Sequence, residues 1–175
     1  WFGNNERFYV SRTSRDLKKI DWCAVDVKMG EIKVLIEERL NTYVETRRPG
    51  LVNEGKEIIH WSERDGWGHF YLYDEGGKLK NAITSGAFHC EDIEEIDEKN
   101  RVLYFTANGR EAGEDPYYLH LYRVNFDGSN LKLLNPGDYD NSNNMDDGAK
   151  YFVNNYSRVN TAPKSVLYDN TGRKI

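Results

Sequence analysis

The chain has 175 residues, the size of one ordinary domain, and its 24 basic and 29 acidic residues are well mixed, leaving a net charge of −5. That balance excludes the basic stripe of a nucleic-acid footprint, and no apolar run approaches the ~18 residues of a membrane helix. Mean hydropathy is well below zero and hydrophobic residues make up 38%, much of that as twelve Tyr, seven Phe and four Trp, which favour strands. Only four Pro are present, so this is no polyproline or disordered chain. The first residue is Trp1, so the natural N-terminus, with any signal or anchor, is expected to lie outside this sequence.

In chain order, four segments repeat one plan: a strand, a polar linker, a second strand ending near Asp or Asn, a glycine turn and a third strand. The first copy predicts strands over 8–12, 22–26 and 32–36, with the turn at Gly30. Residues 31–40 also carry apolar residues at near-helical spacing, but the segment starts by alternating after a glycine turn and reads as strand. The second copy predicts strands over 58–62, 70–74 and 79–84, with the turn at Gly76-Gly77. In the third, strands over 102–106, 121–125 and 131–134 surround the turn Asp127-Gly128. The fourth has 151–153 and 166–169 and stops just after Gly172. A further strand per repeat is expected between copies, at Tyr43-Val44-Glu45 and over 92–96; the stretch 138–147 is too polar to place one.

First strands beginning at 8, 58, 102 and 151 give a period of roughly 45–50 residues, that of four-stranded propeller blades. The expected fold is all-β, a partial β-propeller of about three and a half antiparallel blades, approximately 1–42, 43–90, 91–137 and 138–175, the last incomplete. Such a segment does not close a ring, so a whole domain would need roughly twice this length, and the chain reads as a fragment ending inside an expected strand. Tyr71, Tyr73, Tyr104, Phe105, Leu121, Tyr122, Tyr151 and Phe152 are the expected inter-blade packing residues.

Chemistry-bearing motifs are few. Cys23 and Cys90 are 67 residues apart and outside any C-x-x-C, which favours buried free thiols over a disulfide and gives no zinc site. The segment 138–142 opens like a calcium loop, but Asn143 and Ala149 stand where an EF-hand needs Gly and Glu. The acidic run 91–98 reads as a solvated blade edge. His60, His69, His89 and His120 lack metal-ligand spacing, and His69 and His120 are expected to hydrogen-bond within blades. No cofactor and no metal is expected. Asn155-Tyr156-Ser157 is a glycosylation sequon.

Three segments, in order along the chain, carry a family resemblance. They run over 59–73, with His60, Trp61, Ser62, Trp67 and Gly68; over 115–124, from Asp115-Pro116 to Val124; and over 156–163, from Tyr156 to Pro163. Together they resemble the N-terminal propeller of the dipeptidyl peptidase IV family, in the prolyl oligopeptidase clan of serine peptidases. A departure is Asn141, where bacterial relatives often carry His. The resemblance implies the later half of a propeller that caps an α/β-hydrolase domain, selects peptides by size and holds the substrate's amino terminus. The chain itself has no G-x-S-x-G elbow, so no catalysis is expected from it. The family's paired-glutamate motif has no counterpart here. The segment 43–49 aligns loosely with a family segment whose arginine reaches the substrate cavity, which would make Arg48, or else Arg47, a hydrogen-bond donor to a substrate carbonyl; a solvated surface pair is the alternative. Expected partners are peptide, the hydrolase domain and a second copy of the chain meeting exposed blade faces. Location is expected to be periplasmic or cell-surface in a bacterium. The competing function is a stand-alone propeller-like module for protein or glycan binding.

Overall fold

The computed structural model describes residues 6–175, and these separate into two compact units. The first comprises the chain up to Gly66 together with Phe70–Ala82, and the second comprises Trp67–His69 with Ile83–Ile175.

In the first unit, strands β1 (Arg7–Thr13), β2 (Lys19–Asp26) and β3 (Ile32–Arg39) form an antiparallel sheet in chain order. A second antiparallel sheet runs β4 (Gly50–Val52), β5 (Glu57–Ser62), β6 (His69–Asp74) and β7 (Leu79–Ala82). Ala24, Leu35 and Ile36 of the first sheet pack on Ile58, Tyr71 and Tyr73 of the second, with Tyr9, Trp22 and Leu51 at the margin. The turns explain why sequence places the strands so well. Asp26 Oδ1 accepts the amides of Lys28 and Met29, and Asp74 Oδ1 accepts those of Gly76 and Lys78, all at 2.9 Å.

In the second unit, β8 (His89–Asp97), β9 (Val102–Asn108), β10 (His120–Asn125) and β11 (Lys132–Leu133) form one antiparallel meander. The strands β12 (Asp140–Met145), β13 (Tyr151–Arg158) and β14 (Thr161–Asp169) form the other. Val102, Tyr104, Leu121 and Leu134 pack on Ala149 and Phe152, and Phe152 stacks on Tyr168 at 5.1 Å between centroids. Asp169 repeats the turn of Asp26 and Asp74, its Oδ1 accepting the amides of Thr171 and Arg173.

Glycine is obligatory at two equivalent points. Gly77 (φ +85°) follows Asp74, and a Cβ there would lie 2.0 Å from the carbonyl oxygen of Leu35 in β3. Gly172 (φ +82°) follows Asp169, and its Cβ would lie 2.8 Å from the carbonyl oxygen of Leu134 just beyond β11. In both units, therefore, the glycine turn of one sheet nests against the backbone at or just beyond the last strand of the sheet before it.

Four expectations change. Tyr43-Val44-Glu45 is not a strand: the Val44 amide is held by Leu17 O (2.8 Å), and the first strand of that sheet is β4 instead, just past Pro49. The polar stretch 138–147 does contain a strand, β12, because its side chains find partners. Asn141 Nδ2 donates to Tyr139 O (2.6 Å) and Leu119 O (2.7 Å), and its Oδ1 accepts from Asn154 Nδ2 (3.0 Å). Asn135 adds a bond to Asn143 Oδ1 at 3.1 Å and receives the Leu121 amide at 2.8 Å. Tyr151 is half exposed, on the outer side of β13, while the other seven expected packing residues are buried. Finally, the 131–134 strand contracts to the two residues of β11, and the fourth copy extends into the long hairpin β13–β14.

Candidate peptide-binding cleft

A cleft of about 490 Å³ opens on the first unit, lined by Tyr9, Trp22, Arg48, Pro49, Gly50 and Leu51. Tyr9 on β1 and Trp22 on β2 supply aromatic walls, and the chain entering β4 supplies the rest. Gly50 and Leu51 are fixed by pairing with Ile59 and Ile58 of β5. Pro49 has no N–H to give a ladder, so the strand begins one residue later and Arg48 stays in the preceding loop.

The two arginines singled out by sequence part company here. Arg47 is engaged: its Nη1 lies 2.6 Å from Glu45 Oε1, and its guanidinium sits 5.2 Å from the centroid of Trp61. Arg48 is exposed and lines the cleft, and among the described residues no carboxylate pairs with it. The indole Nε1 of Trp22 is buried with no hydrogen-bond partner among the described residues. Tyr9 Oη donates to Gly55 O at 3.5 Å, and burial raises its pKa well above that of a free phenol, so it remains a neutral donor.

Next to Trp22 lies a buried polar cluster that sequence reading missed. The Trp22 and His60 rings meet edge-on at 6.3 Å, and His60 meets Tyr73 likewise at 6.1 Å. Glu38 of β3, only 6% exposed, accepts from Ser62 Oγ (2.9 Å) and Arg64 Nη2 (2.6 Å), and its Oε1 lies 3.0 Å from His60 Nε2. Arg64 lies over Tyr71 at 4.4 Å and donates through Nε to Ser62 Oγ. Burial works to raise the Glu38 pKa, but His60, Arg64 and Ser62 together outweigh it and hold the carboxyl below its usual range. The signal was present in the alternation: Glu38 stands two residues after Ile36 and shares its inward face. The residue types resemble a hydrolytic triad, but the wiring does not. His60 and Ser62 both address the carboxylate, and Ser62 Oγ bonds Glu38 and Arg64 rather than His60, so no imidazole is set against that hydroxyl as in a triad.

The remaining motifs have structural surroundings. His69 meets Thr84 Oγ1 at 3.1 Å and Gly86 O at 3.0 Å, and His120 meets Asn135 O at 3.3 Å, as expected of histidines that bond locally. Cys23 and Cys90 are buried free thiols, and burial pushes the Cys90 pKa up to about 12. Asp138 pairs with Arg158 (2.8 Å) and Asp140 Oδ1 accepts the Leu119 amide. Among the described residues no group of three or more His, Cys, Asp or Glu is placed to hold a metal, and no helix is long and apolar enough to cross a membrane.

Antiparallel sheets of three or four strands, nested within each unit by a glycine turn of one on the other, are the blades of a β-propeller, here with an arginine-lined cleft on the first two. The family model described as "Dipeptidyl peptidase IV (DPP IV) N-terminal region" matches residues 1–163, and the chain belongs to that family. It is similar to dipeptidyl peptidase 4 of Arthroderma otae (29% identity over 129 residues, covering 70% of this chain and 15% of that protein). It is also similar to a probable dipeptidyl-aminopeptidase B of Aspergillus oryzae, at 36% identity over 66% of this chain and 12% of that protein. The chain thus spans a small part of the length of these relatives. The fold is shared with dipeptidyl peptidase 4 of Porphyromonas gingivalis (TM-score 0.84, 21% identity, 97% of this chain and 24% of that one). It is shared equally with a putative dipeptidyl aminopeptidase IV of Bacteroides ovatus (TM-score 0.83, 20% identity, 99% and 27%).

Proposed function

We propose that this chain is a non-catalytic propeller segment of a dipeptidyl peptidase IV-like serine exopeptidase. In this reading it gates and binds peptides for an α/β-hydrolase domain elsewhere in the same protein, and that domain releases N-terminal dipeptides, preferentially after Pro or Ala. The observation that carries the reading is the unpaired, exposed Arg48 in a cleft on a chain of this family. A guanidinium donates in a planar fork and suits a peptide carbonyl or carboxylate. Arg47, committed to Glu45 and Trp61, orients the loop.

The test is hydrolysis of a Gly-Pro chromogenic substrate by this chain and by the full-length protein that carries it. Activity is expected only in the full-length protein, where Arg48→Gln raises KM about tenfold with kcat nearly unchanged. Activity of the chain alone, or an unmoved KM, would overturn the reading, and activity in neither protein would favour a stand-alone binding module. A periplasmic or cell-surface location belongs to the same proposal. So does self-association of the isolated chain, supported by Tyr151, Val153 and Leu167 exposed on the outer face of β13–β14. A monomer by sedimentation at high concentration would remove that part.

A further inference from the structure

We infer that the cleft above β4 selects an apolar side chain followed by a carboxylate, as at the C-terminus of a short peptide. The inference rests on the proposal that this cleft faces peptide, and adds the class of ligand it takes. Two features carry it.

The first is polarity. Of the side chains lining the cleft, the Arg48 guanidinium is the free charged donor; the Tyr9 hydroxyl already gives its proton to Gly55 O, and the Trp22 indole N–H is buried behind its ring. Among the described residues no Asp or Glu lines it. An ammonium group finds no counter-charge in such a place, whereas a carboxylate meets a cation free of any carboxylate among the described residues. The second is the indole N–H itself. Trp22 is wedged between the cleft and the His60 ring, its Nε1 buried without an acceptor among the described residues. That nitrogen has no free surface, so a ligand oxygen reaches it only when the ring turns toward the cleft, and such a turn removes the cost of an unmatched buried donor. Between these donors, the Tyr9 and Trp22 rings, Pro49 and Leu51 form the apolar surface for the neighbouring side chain.

Three probes separate the parts of the idea: N-acetyl-phenylalanine (aromatic body, carboxylate), its neutral amide, and phenylalanine amide (aromatic body, cation). Binding to the chain is followed by NMR titration of the indole N–H resonances, with that of Trp22 assigned by its loss in Trp22→Phe. The carboxylate is expected to bind saturably and to shift that resonance, the neutral amide about tenfold more weakly, and the cation not at all. Arg48→Gln, at an exposed position that leaves the sheets intact, should erase the preference for the carboxylate. Arg48→Glu should reverse it in favour of phenylalanine amide, and Arg48→Lys should retain part of it. Equal binding of all three probes, or an Arg48→Gln variant that still prefers the carboxylate, overturns the inference. The two readings fail separately. If the carboxylate does not bind but Arg48→Gln raises KM in the full-length protein, the ligand class falls and the substrate-facing role stands. If the carboxylate binds and KM is unmoved, the ligand class stands and the substrate-facing role falls.

Discussion

The two units solve one problem, fastening a sheet to its successor, with opposite chemistry. In the first, the apolar contact of Leu35, Ile36 and Ile58 is backed by a buried charge, Glu38, clasped by His60, Ser62 and Arg64 of the following sheet and turn. In the second, Tyr104, Leu121 and Phe152 form the contact, and neutral amides bridge the sheets beside it, Asn135 to Asn143 and Asn141 to Leu119 O, with Asn154 holding Asn141 from its own sheet. A buried charge is sensitive to loss of any partner and to pH, whereas amides carry no charge themselves, their one ionisable neighbour being His120, which touches Asn135 and Asn141 and lies 2.8 Å from Glu114. The charged clasp lies next to the cleft, sharing Trp22 with it through the His60 contact, so the unit that carries the candidate site also has the more conditional joint.

The largest expected effect tests what the two joints have in common. Gly77→Ala sets a Cβ 2.0 Å from a backbone oxygen at positive φ and should cost at least about 4 kcal/mol, or prevent folding of the first unit. Gly172→Ala meets the equivalent oxygen at 2.8 Å and should cost about 2 kcal/mol. Urea unfolding of both variants ranks them, and equal or negligible losses would break the equivalence of the two turns.

Next comes the charge. Glu38→Ala leaves Arg64 and His60 without their carboxylate and should cost about 3 kcal/mol, at the low end for a broken buried pair because Arg64 keeps some access to water. The sign of the pH effect follows from the depressed carboxyl. Its contribution is complete above the unfolded value of about 4.3 and is lost as pH falls through the lower folded value. Glu38→Gln should therefore flatten the acid limb of the stability profile for the first unit, read by amide exchange in β3 and β5. The turn aspartates Asp26 and Asp169 are also depressed, Asp169 to about 2, but they remain in both proteins, so the difference between the two profiles isolates Glu38. An unchanged acid limb would show that the clasp is not the conditional element.

The smallest effect belongs to the amides. Asn141→Ala removes donors to Leu119 O and Tyr139 O and orphans Asn154 Nδ2, and should cost about 2 kcal/mol, less than Glu38→Ala. A loss as large as that of Glu38→Ala would erase the contrast between the units.

Much of this architecture can be read from the sequence because its determinants are local. Each repeat is punctuated by Asp or Asn and a glycine, and between them alternation and aromatic content mark the strands. Arg48 was legible as a candidate through its place before Pro49, by family resemblance. Tertiary structure decided the rest, and the reason is pairing over long sequence separation. Only the fold separates Arg48 from Arg47, by giving Arg47 to Glu45 and Trp61. Only the fold turns the polar stretch 140–145 into a strand, by supplying amide partners from β13 and from the segment around Asn135. Glu38 meets His60 across 22 residues of chain, and Tyr9, Trp22 and Arg48 reach one cleft from three separate segments. Turn chemistry is written in neighbouring residues, whereas a buried charge, an unmatched indole and a cleft exist only once the sheets are stacked.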